Sequence, residues 1–397
     1  MSDTTFEAIG ITEPLTARLA KIGITAPTAV QANTIPVIAG GASVAFQSET
    51  GTGKTFAYLL PLVQRMEADA GSAAAGSTAV ATASTGAKTP LIVIVAPTHE
   101  LCSQIKAQVQ QVSAAKAALL IGGAPLKRQI ETLKEKPAVV IGGAVRLLEL
   151  YHLKKLRLDG VRALVLDEVD RLLSPELRDD TASLVRLLHG AQLIANSATV
   201  SPKTAALLGD LHGSALTTLF LPPEDVLKKR ITHIALFAEQ RDKIDTLRKL
   251  LAAEKPAKAL VFTSRLDQVA NITAKLKYRN VECAGLHAKT DKQERKAAID
   301  RFKSGKCPVL VTSDLASRGL DIPDITHVIQ MDVPANDDFF VHRAGRTARA
   351  GKTGMNIVLG DAYELRKFAA LEKRLGITVY PRMLYKGTLV APQAVQE

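Results

Sequence analysis

The chain has 397 residues, 47% hydrophobic and 23% charged, a length that suits two or three domains of about 100–200 residues with sizeable cores. Cys102, Cys283 and Cys307 are scattered without a C-x-x-C pair, and no stretch approaches the roughly 18 apolar residues of a membrane span, which excludes a disulfide scaffold, a cysteine-rich zinc site and a membrane helix. A net charge of +12 favours a polyanionic partner, while an aromatic content of 4% with no Trp disfavours base-stacking platforms, so a nucleic acid would be gripped by its phosphate–sugar backbone.

In chain order, short runs rich in Val, Ile and Leu come first: Ser43 to Phe46, Leu91 to Ala96, Ala138 to Ile141, Ala163 to Leu166 and Gln192 to Ala195. A helix-length stretch separates each from the next. The alternation predicts parallel strands with crossover helices, an α/β sheet covered on both faces. Ala68 to Thr89 consists almost wholly of Ala, Gly, Ser and Thr. It is expected to be a flexible loop, with an alanine-rich helix as the alternative.

Leu221-Pro222-Pro223 stops the first set. A second set follows: Ile231 to Phe237, Ala259 to Phe262, Val281 to Leu286, Val309 to Val311, His327 to Met331 and Met355 to Leu359. The predicted organisation is a first α/β domain over 1–222, a linker over 223–230, a second α/β domain over 231–380 and a short tail over 381–397. Residues 1–223 hold 20 basic and 18 acidic side chains, and residues 224–397 hold 31 and 21, so the second part carries +10 of the excess. A polyanion is expected to lie against it as well. The N-terminus has neither a basic-then-apolar leader nor an Arg-rich transit composition, and a reducing, cytoplasmic compartment is expected.

The strand at 43–46 runs into SETGTGKT and then an apolar stretch, FAYLLPLV. Gly51 and Gly53 allow the backbone to turn its N–H groups toward one point, and the following helix aims its N-terminal partial charge there. Lys54 adds a cation for β- and γ-phosphates and Thr55 a hydroxyl for Mg²⁺. Ser48 stands where the strict phosphate-loop pattern has Gly. A second acidic signature is LVLDEVDRLL. Asp167 ends an apolar strand and Glu168 follows, a pair that is costly to bury unless it meets a cation. Mg²⁺ on a nucleotide would supply one, and Glu168 could position the attacking water. Alone, this acidic group also fits a solvated turn.

Near the far end stands HRAGRTARAGKTG, residues 342–354, with Arg346 and Arg349 three apart and able to share one helical face. Arginine forks suit phosphate oxygens. A solvated basic turn is the competing reading. TSDLASRGLD (312–321) follows another apolar strand and by itself is an ordinary strand-to-helix connection. His152, His189 and His233 lack partners at metal-ligand spacing and are expected at the surface or as caps. The cysteines are expected to pack, and Leu59, Leu60 and Leu62 to be helix core.

Taken together these motifs resemble the DEAD-box ATP-dependent RNA helicases over about residues 6–380. The resemblance implies two tandem RecA-like domains, with ATP, Mg²⁺ and RNA bound. Phe6, 17 residues before Gly23, and GITAPTAVQ are similar to the adenine-reading motif, so Gln31 would read the adenine edge with Ile24 and Thr28 helping to form the pocket. Ser48, Thr50, Gly51, Thr52, Gly53, Lys54 and Thr55 would cradle the triphosphate, with Gly319 and Asp321 at the ribose. Thr55 and Asp167 would hold Mg²⁺ largely through water. Asp167 and Glu168 would organise metal and water, and DEVD stands where the family has DEAD. Arg346 and Arg349 resemble the arginine fingers and His342 the coupling residue of the last motif. Asp170, Ser197 and Thr199 would couple nucleotide state to RNA grip. RNA would be held by Pro97, Thr98, Glu100, Gly122, Gly123, Arg146, Thr263, Arg295 and Ser313.

The departures from the family pattern fall on the RNA side. His99 replaces the Arg of PTREL, Gly143-Ala144-Val145 replace Thr-Pro-Gly before Arg146, and Lys292 replaces a Gln three residues before Arg295. The implied function is RNA-stimulated ATP hydrolysis coupled to local separation of short RNA duplexes, by a monomer on RNA or on a ribonucleoprotein such as a ribosome-assembly intermediate. An ATP-gated RNA clamp with little unwinding is the alternative, and a DNA-directed translocase is the third reading.

Overall fold

The computed structural model describes residues 4–48, 52–74, 90–198, 200–220, 226–287, 290–314, 322, 324–334, 336–348 and 352–392. The chain divides into two compact units, residues 1–222 and 223–397.

Unit 1 is built on seven strands: β1 (Val44–Gln47), β2 (Ile92–Val95), β3 (Ala117–Leu120), β4 (Val139–Gly142), β5 (Ala163–Asp167), β6 (Gln192–Ser197) and β7 (Thr217–Phe220). Their order is β3-β4-β2-β5-β6-β1-β7 and every pairing is parallel. Strand periodicity explains why the central strands are apolar throughout. In β2, Ile92 and Ile94 enter one core beside Tyr58, Leu59 and Ile105, whereas Val93 and Val95 enter the opposite core beside Leu147, Leu184 and Leu208. Each such side chain contributes about 1.5–3 kcal/mol of burial energy. Helices Lys54–Ala74 and His99–Val112 cover the first face, and Ala144–His152, Arg178–Leu187 and Pro202–His212 the second.

Unit 2 carries β8 (Ile231–Phe237), β9 (Ala259–Phe262), β10 (Cys283–Leu286), β11 (Val309–Thr312), β12 (His327–Gln330), β13 (Gly354–Gly360), β14 (Val379–Tyr385) and β15 (Thr388–Val390). The order is β10-β11-β9-β12-β13-β8-β14-β15, parallel except for the β14–β15 pair. Again alternate residues of one strand serve two cores: Ala259 and Val261 on one side, Leu260 and Phe262 on the other.

The structure changes several expectations. Residues 381–390 are not tail: β14 pairs with β8 and extends the second sheet. The alanine-rich segment is helical at its start, because the helix from Lys54 runs to Ala74, in keeping with the high helix propensity of Ala. Its remainder, 75–89, lies outside the described residues. His233 is neither a surface residue nor a cap but is 1% exposed. All three cysteines are buried and unpaired.

Candidate functional site

The nucleotide-side residues of unit 1 gather at the carboxyl ends of β1, β5 and β6, which are neighbours in the order β5-β6-β1. Ser48 leaves β1 with its backbone N–H donated to Ser197 O at the end of β6 (3.0 Å), and its hydroxyl lies 2.6 Å from that of Thr52. Lys54 donates from Nζ to the Ser48 carbonyl at 2.6 Å, so the lysine folds back over the loop. Gly53 has φ +89°, a left-handed backbone that favours glycine, and a Cβ there would stand 2.5 Å from Gln31 Nε2 and push that amide aside. Thr50 and Gly51 lie outside the described residues.

Gln31 ties this loop to the helix Ala29–Ala39. Its Oε1 accepts from Thr28 N–H (2.9 Å), its backbone N–H bonds the Thr28 hydroxyl (3.3 Å), and its Nε2 donates to Gly53 O (3.1 Å). One amide hydrogen and one carbonyl lone pair of Gln31 stay available beyond these bonds. Phe6 is buried in a small core with Leu15, Ile35, Phe56 and Leu60, and Ile24 packs at its margin.

Asp167 closes β5, buried, and accepts a 2.8 Å bond from the Tyr58 phenol on the helix Lys54–Ala74. Burial raises its carboxyl from the ordinary 3.8 to about 6, reinforced by the charge of Glu168 and opposed by the Tyr58 bond and the Lys54 charge. Burial and the Asp167 charge raise the Tyr58 pKa, whereas the Thr55 side chain lies beside the same phenol and favours its ionised form, so one phenol adjoins both residues expected on the metal side. No pattern in the sequence singles out Tyr58 for this role. Glu168 takes a left-handed conformation (φ 55°, ψ 56°) that turns the chain sharply out of the strand, a geometry that costs about 1–2 kcal/mol for a non-glycine residue. Asp170 Oδ1 accepts from the Arg171 N–H at 2.8 Å.

On the adjacent strand, Asn196 stands directly beside Asp167 in register, on the same face of the sheet. Both of its side-chain polar atoms, and the Ser197 hydroxyl, are buried without a hydrogen-bond partner. Mg²⁺ keeps several waters and takes one or two carboxylates plus phosphate oxygens. A carboxylate, a hydroxyl and an unsatisfied amide at one strand edge fit that demand. Among the described residues no group of three or more His, Cys, Asp and Glu forms an all-protein metal cage. Thr199 lies outside the described residues.

The residues expected to hold RNA in unit 1 follow β2, β3 and β4, the other half of the same edge. Thr98 caps the helix His99–Val112 by accepting from Leu101 N–H (3.2 Å), with Pro97 before it and Glu100 in the first turn. The His99 ring lies over Gly122 and Gly123; a Cβ on Gly122 would be 3.5 Å from its Nε2. Arg146 pairs with Glu149 (2.8 Å) and donates to Ala124 O (3.2 Å), and Gln129 donates to Ile121 O (2.9 Å) and Ala124 O (3.2 Å), which together brace the glycine loop.

In unit 2, Thr263 follows β9 and Ser313 follows β11, both buried. The surprise is Arg343. The sequence left it as one cation of a basic stretch, yet it is 1% exposed and all its donors are used. Its Nε and NH2 donate to the two oxygens of Asp314 (2.6 and 2.7 Å). NH1 donates to Asp332 Oδ1 (3.1 Å), Asp332 O (3.2 Å) and Gln330 Oε1 (3.2 Å), and NH2 also reaches the Ser264 hydroxyl (2.8 Å). Asp332 in turn accepts from the Thr263 hydroxyl (3.0 Å) and from Ser264 N–H (2.7 Å) and O–H (2.6 Å). Burial would raise the Asp332 carboxyl, but Arg343 and the Ser264 donors hold it below its ordinary value. Asp332 and Ser264 carry no sequence motif that isolated them. His342 and Arg346 are buried, the latter 9% exposed, and Arg295 is half-buried on the helix Lys292–Lys303. Gly319, Asp321 and Arg349 lie outside the described residues.

Residues 28–208 match the family model of DEAD/DEAH box helicases, and residues 242–351 that of the helicase conserved C-terminal domain. The chain is 35% identical over 374 residues to the DEAD-box ATP-dependent RNA helicase CshC of Bacillus cereus, covering 93% of this chain and 91% of that one. It is 36% identical over 371 residues to the probable ATP-dependent RNA helicase YfmL of Bacillus subtilis, with 92% and 93% covered. Among solved structures, S. cerevisiae Dbp5 bound to RNA and ADP BeF3 superposes with a TM-score of 0.80 at 25% identity, covering 95% of this chain and 96% of that chain.

Proposed function

The chain belongs to the DEAD-box family of ATP-dependent RNA helicases, and from that membership we propose how its own residues carry the reaction. It is an RNA-dependent ATPase and helicase with two RecA-like domains. The observation that carries the residue-level reading is the junction of the Lys54 loop with Asp167 and Tyr58 at one sheet edge.

In this reading Gln31 uses its remaining hydrogen and lone pair on the adenine edge, within a pocket formed with Phe6, Ile24 and Thr28. Lys54 swings from the Ser48 carbonyl to the β- and γ-phosphates, and backbone N–H groups from Ser48 through Thr55 take the phosphate oxygens. Mg²⁺, when bound, neutralises charge that develops on the phosphates and polarises the γ-phosphoryl group. Thr55 and Asp167 would hold it, largely through water, with the Tyr58 phenol bonded to Asp167 and lying beside Thr55. Glu168 orients the attacking water, aided by the turn that its left-handed backbone makes. Arg346 and Arg349 supply forked donors to the γ-phosphate, and Gly319 and Asp321 serve the ribose. His342, Asp170, Ser197 and Thr199 link nucleotide state to RNA grip. RNA is held by its backbone, through Pro97, Thr98, Glu100, Gly122, Gly123, Arg146, Thr263, Arg295 and Ser313.

We further propose a cytoplasmic monomer that works on RNA or on ribonucleoprotein, a setting supported by three buried, unpaired thiols. The test is ATP turnover with RNA and with DNA of identical sequence, followed by displacement of a short RNA strand and light scattering of the active species. Turnover equal with both polymers would overturn the RNA-directed reading.

A further inference from the structure

Inside unit 2 a line of polar side chains crosses the sheet where apolar residues would be expected. It starts at Arg343, whose NH1 donates to Gln330 Oε1 on β12 (3.2 Å). Gln330 Nε2 donates to Asn356 Oδ1 on β13 (2.8 Å). Asn356 Nδ2 meets His233 Nδ1 on β8 at 3.1 Å, and His233 Nε2 meets the Leu227 carbonyl at 2.8 Å. Gln330 and Asn356 are wholly buried and His233 is 1% exposed.

The direction of every bond is fixed by chemistry. The Leu227 carbonyl can only accept, so His233 Nε2 carries the hydrogen. A neutral imidazole then presents Nδ1 as an acceptor, and Asn356 must offer its NH₂. That leaves Asn356 Oδ1 to accept from Gln330, whose own Oε1 accepts from the guanidinium. All donors therefore run one way, from a cation to a backbone carbonyl. Burial also pushes the His233 pKa down, which keeps the ring neutral. The ring is clamped against Phe340 (centroids 5.8 Å apart), itself against Phe368 (5.5 Å).

Each relay side chain spends its polar atoms on its two neighbours in the line. Losing any one bond strands a buried donor or acceptor, which is far more costly than never having placed it there. The far end, Leu227, sits in the helical turn Val226–Arg230, a few residues after the boundary between the units. The near end, Arg343, holds Asp314 after β11, Asp332 after β12 and Ser264 in the loop after β9, where Asp332 also takes the Thr263 hydroxyl.

We propose that Gln330, Asn356 and His233 are positioning residues that lock Arg343, and with it the Thr263–Ser264 and Ser313–Asp314 loops, to the backbone at Leu227. The RNA consequence rests on the assignment of Thr263 and Ser313 to RNA made above. The chain segment entering unit 2 and the RNA-side loops thereby share one register, and displacement of the turn at 226–230 loosens the loops.

Two measurements test this. The first is independent of any RNA activity. In the full chain labelled with ¹⁵N-histidine, His233 at pH 7 is expected neutral with hydrogen on Nε2. In Gln330→Leu, amide exchange at residues 227–231 is expected to quicken about tenfold, two strands away from the substitution. A cationic or Nδ1–H ring, or unchanged exchange at 227–231, would overturn the relay itself. The second uses His233→Phe/Gln330→Leu/Asn356→Leu, which removes the line as a whole and leaves few stranded groups. The RNA concentration for half-maximal ATP turnover is expected to rise about tenfold, with turnover at saturating RNA within about twofold and no change in nucleotide affinity without RNA. A wild-type RNA requirement in a normally melting variant would show that the line merely fills the core. A wild-type chain without RNA-stimulated turnover would instead sink the RNA assignment and leave the first measurement standing.

Discussion

Replacing Asp167 by Asn should stabilise unit 1 at neutral pH while ending ATP turnover. In the folded chain the Asp167 carboxyl titrates near about 6, against 3.8 ordinarily, chiefly because it is buried and secondarily because Glu168 adjoins it. A raised carboxyl pKa means that the folded state binds the proton more tightly than the unfolded one. Its contribution is therefore present below about 3.8 and is lost as pH rises through about 6. About two units correspond to about 3 kcal/mol, at 1.36 kcal/mol per unit. Asn stays neutral and can still accept the Tyr58 bond. The difference in stability between variant and wild type should accordingly grow in favour of Asn by about 2–3 kcal/mol between pH 4 and pH 8. Any pH-independent cost of the new amide hydrogens cancels in that comparison. The chain has no Trp, so the assay is denaturant-dependent hydrogen exchange at the β5 and β6 amides. A difference flat with pH to within about 0.5 kcal/mol would refute the argument that Asp167 is ionised at a desolvation cost.

Lys54→Ala and Glu168→Gln should both abolish turnover, but only Lys54→Ala should weaken ATP binding, measured with a fluorescent nucleotide; equal loss of binding in both would remove Glu168 from the water-positioning role. Arg346→Lys keeps the charge and loses the fork, so turnover at saturating RNA should fall by about 10³ with ATP affinity little changed, and a rate within about threefold of wild type would return Arg346 to a structural role. His99→Arg should reach beyond Gly122–Gly123 to an RNA phosphate, tightening single-stranded RNA and steepening the dependence of log K on log salt by about 0.7; an unchanged slope would show that the position does not meet phosphate.

The strands most legible in the sequence are those with both faces buried. Ile92–Val95 and Val309–Thr312 are apolar throughout because alternate residues serve two cores. Of β3, β7, β14 and β15, which all lie toward sheet margins, the last three have their apolar runs diluted by residues such as Thr217, Tyr380 and Arg382, whereas β3 (AALL) is apolar but alternates buried and half-buried residues. The phosphate loop was legible because backbone approach demands glycine and charge at fixed spacing. Tyr58, Asn196, Asp332 and the line from Arg343 to His233 were not. Their partners are 109, 29, 11 and up to 123 residues distant in sequence, or are not protein groups at all, and only the sheet brings them together. A buried His among Val and Ile looks the same in sequence whether it is a filler or a link.

The strand order of unit 1 carries a consequence for how such a chain can change. The loops after β3, β4 and β2 occupy one half of the carboxyl edge and the loops after β5, β6 and β1 the other, joined only where β2 pairs with β5. Adjacent strands keep their spacing near about 4.8 Å whatever their loops contain. The departures of this chain in that sheet's loops, His99 and Gly143 to Val145, sit after β2 and β4, on the half of the edge proposed for RNA. One sheet thus behaves as a rack with separately replaceable halves. On the proposed roles, RNA grip is exchangeable by grafting the 97–100, 121–124 and 143–146 loops from a relative while the loops after β5, β6 and β1 stay as they are.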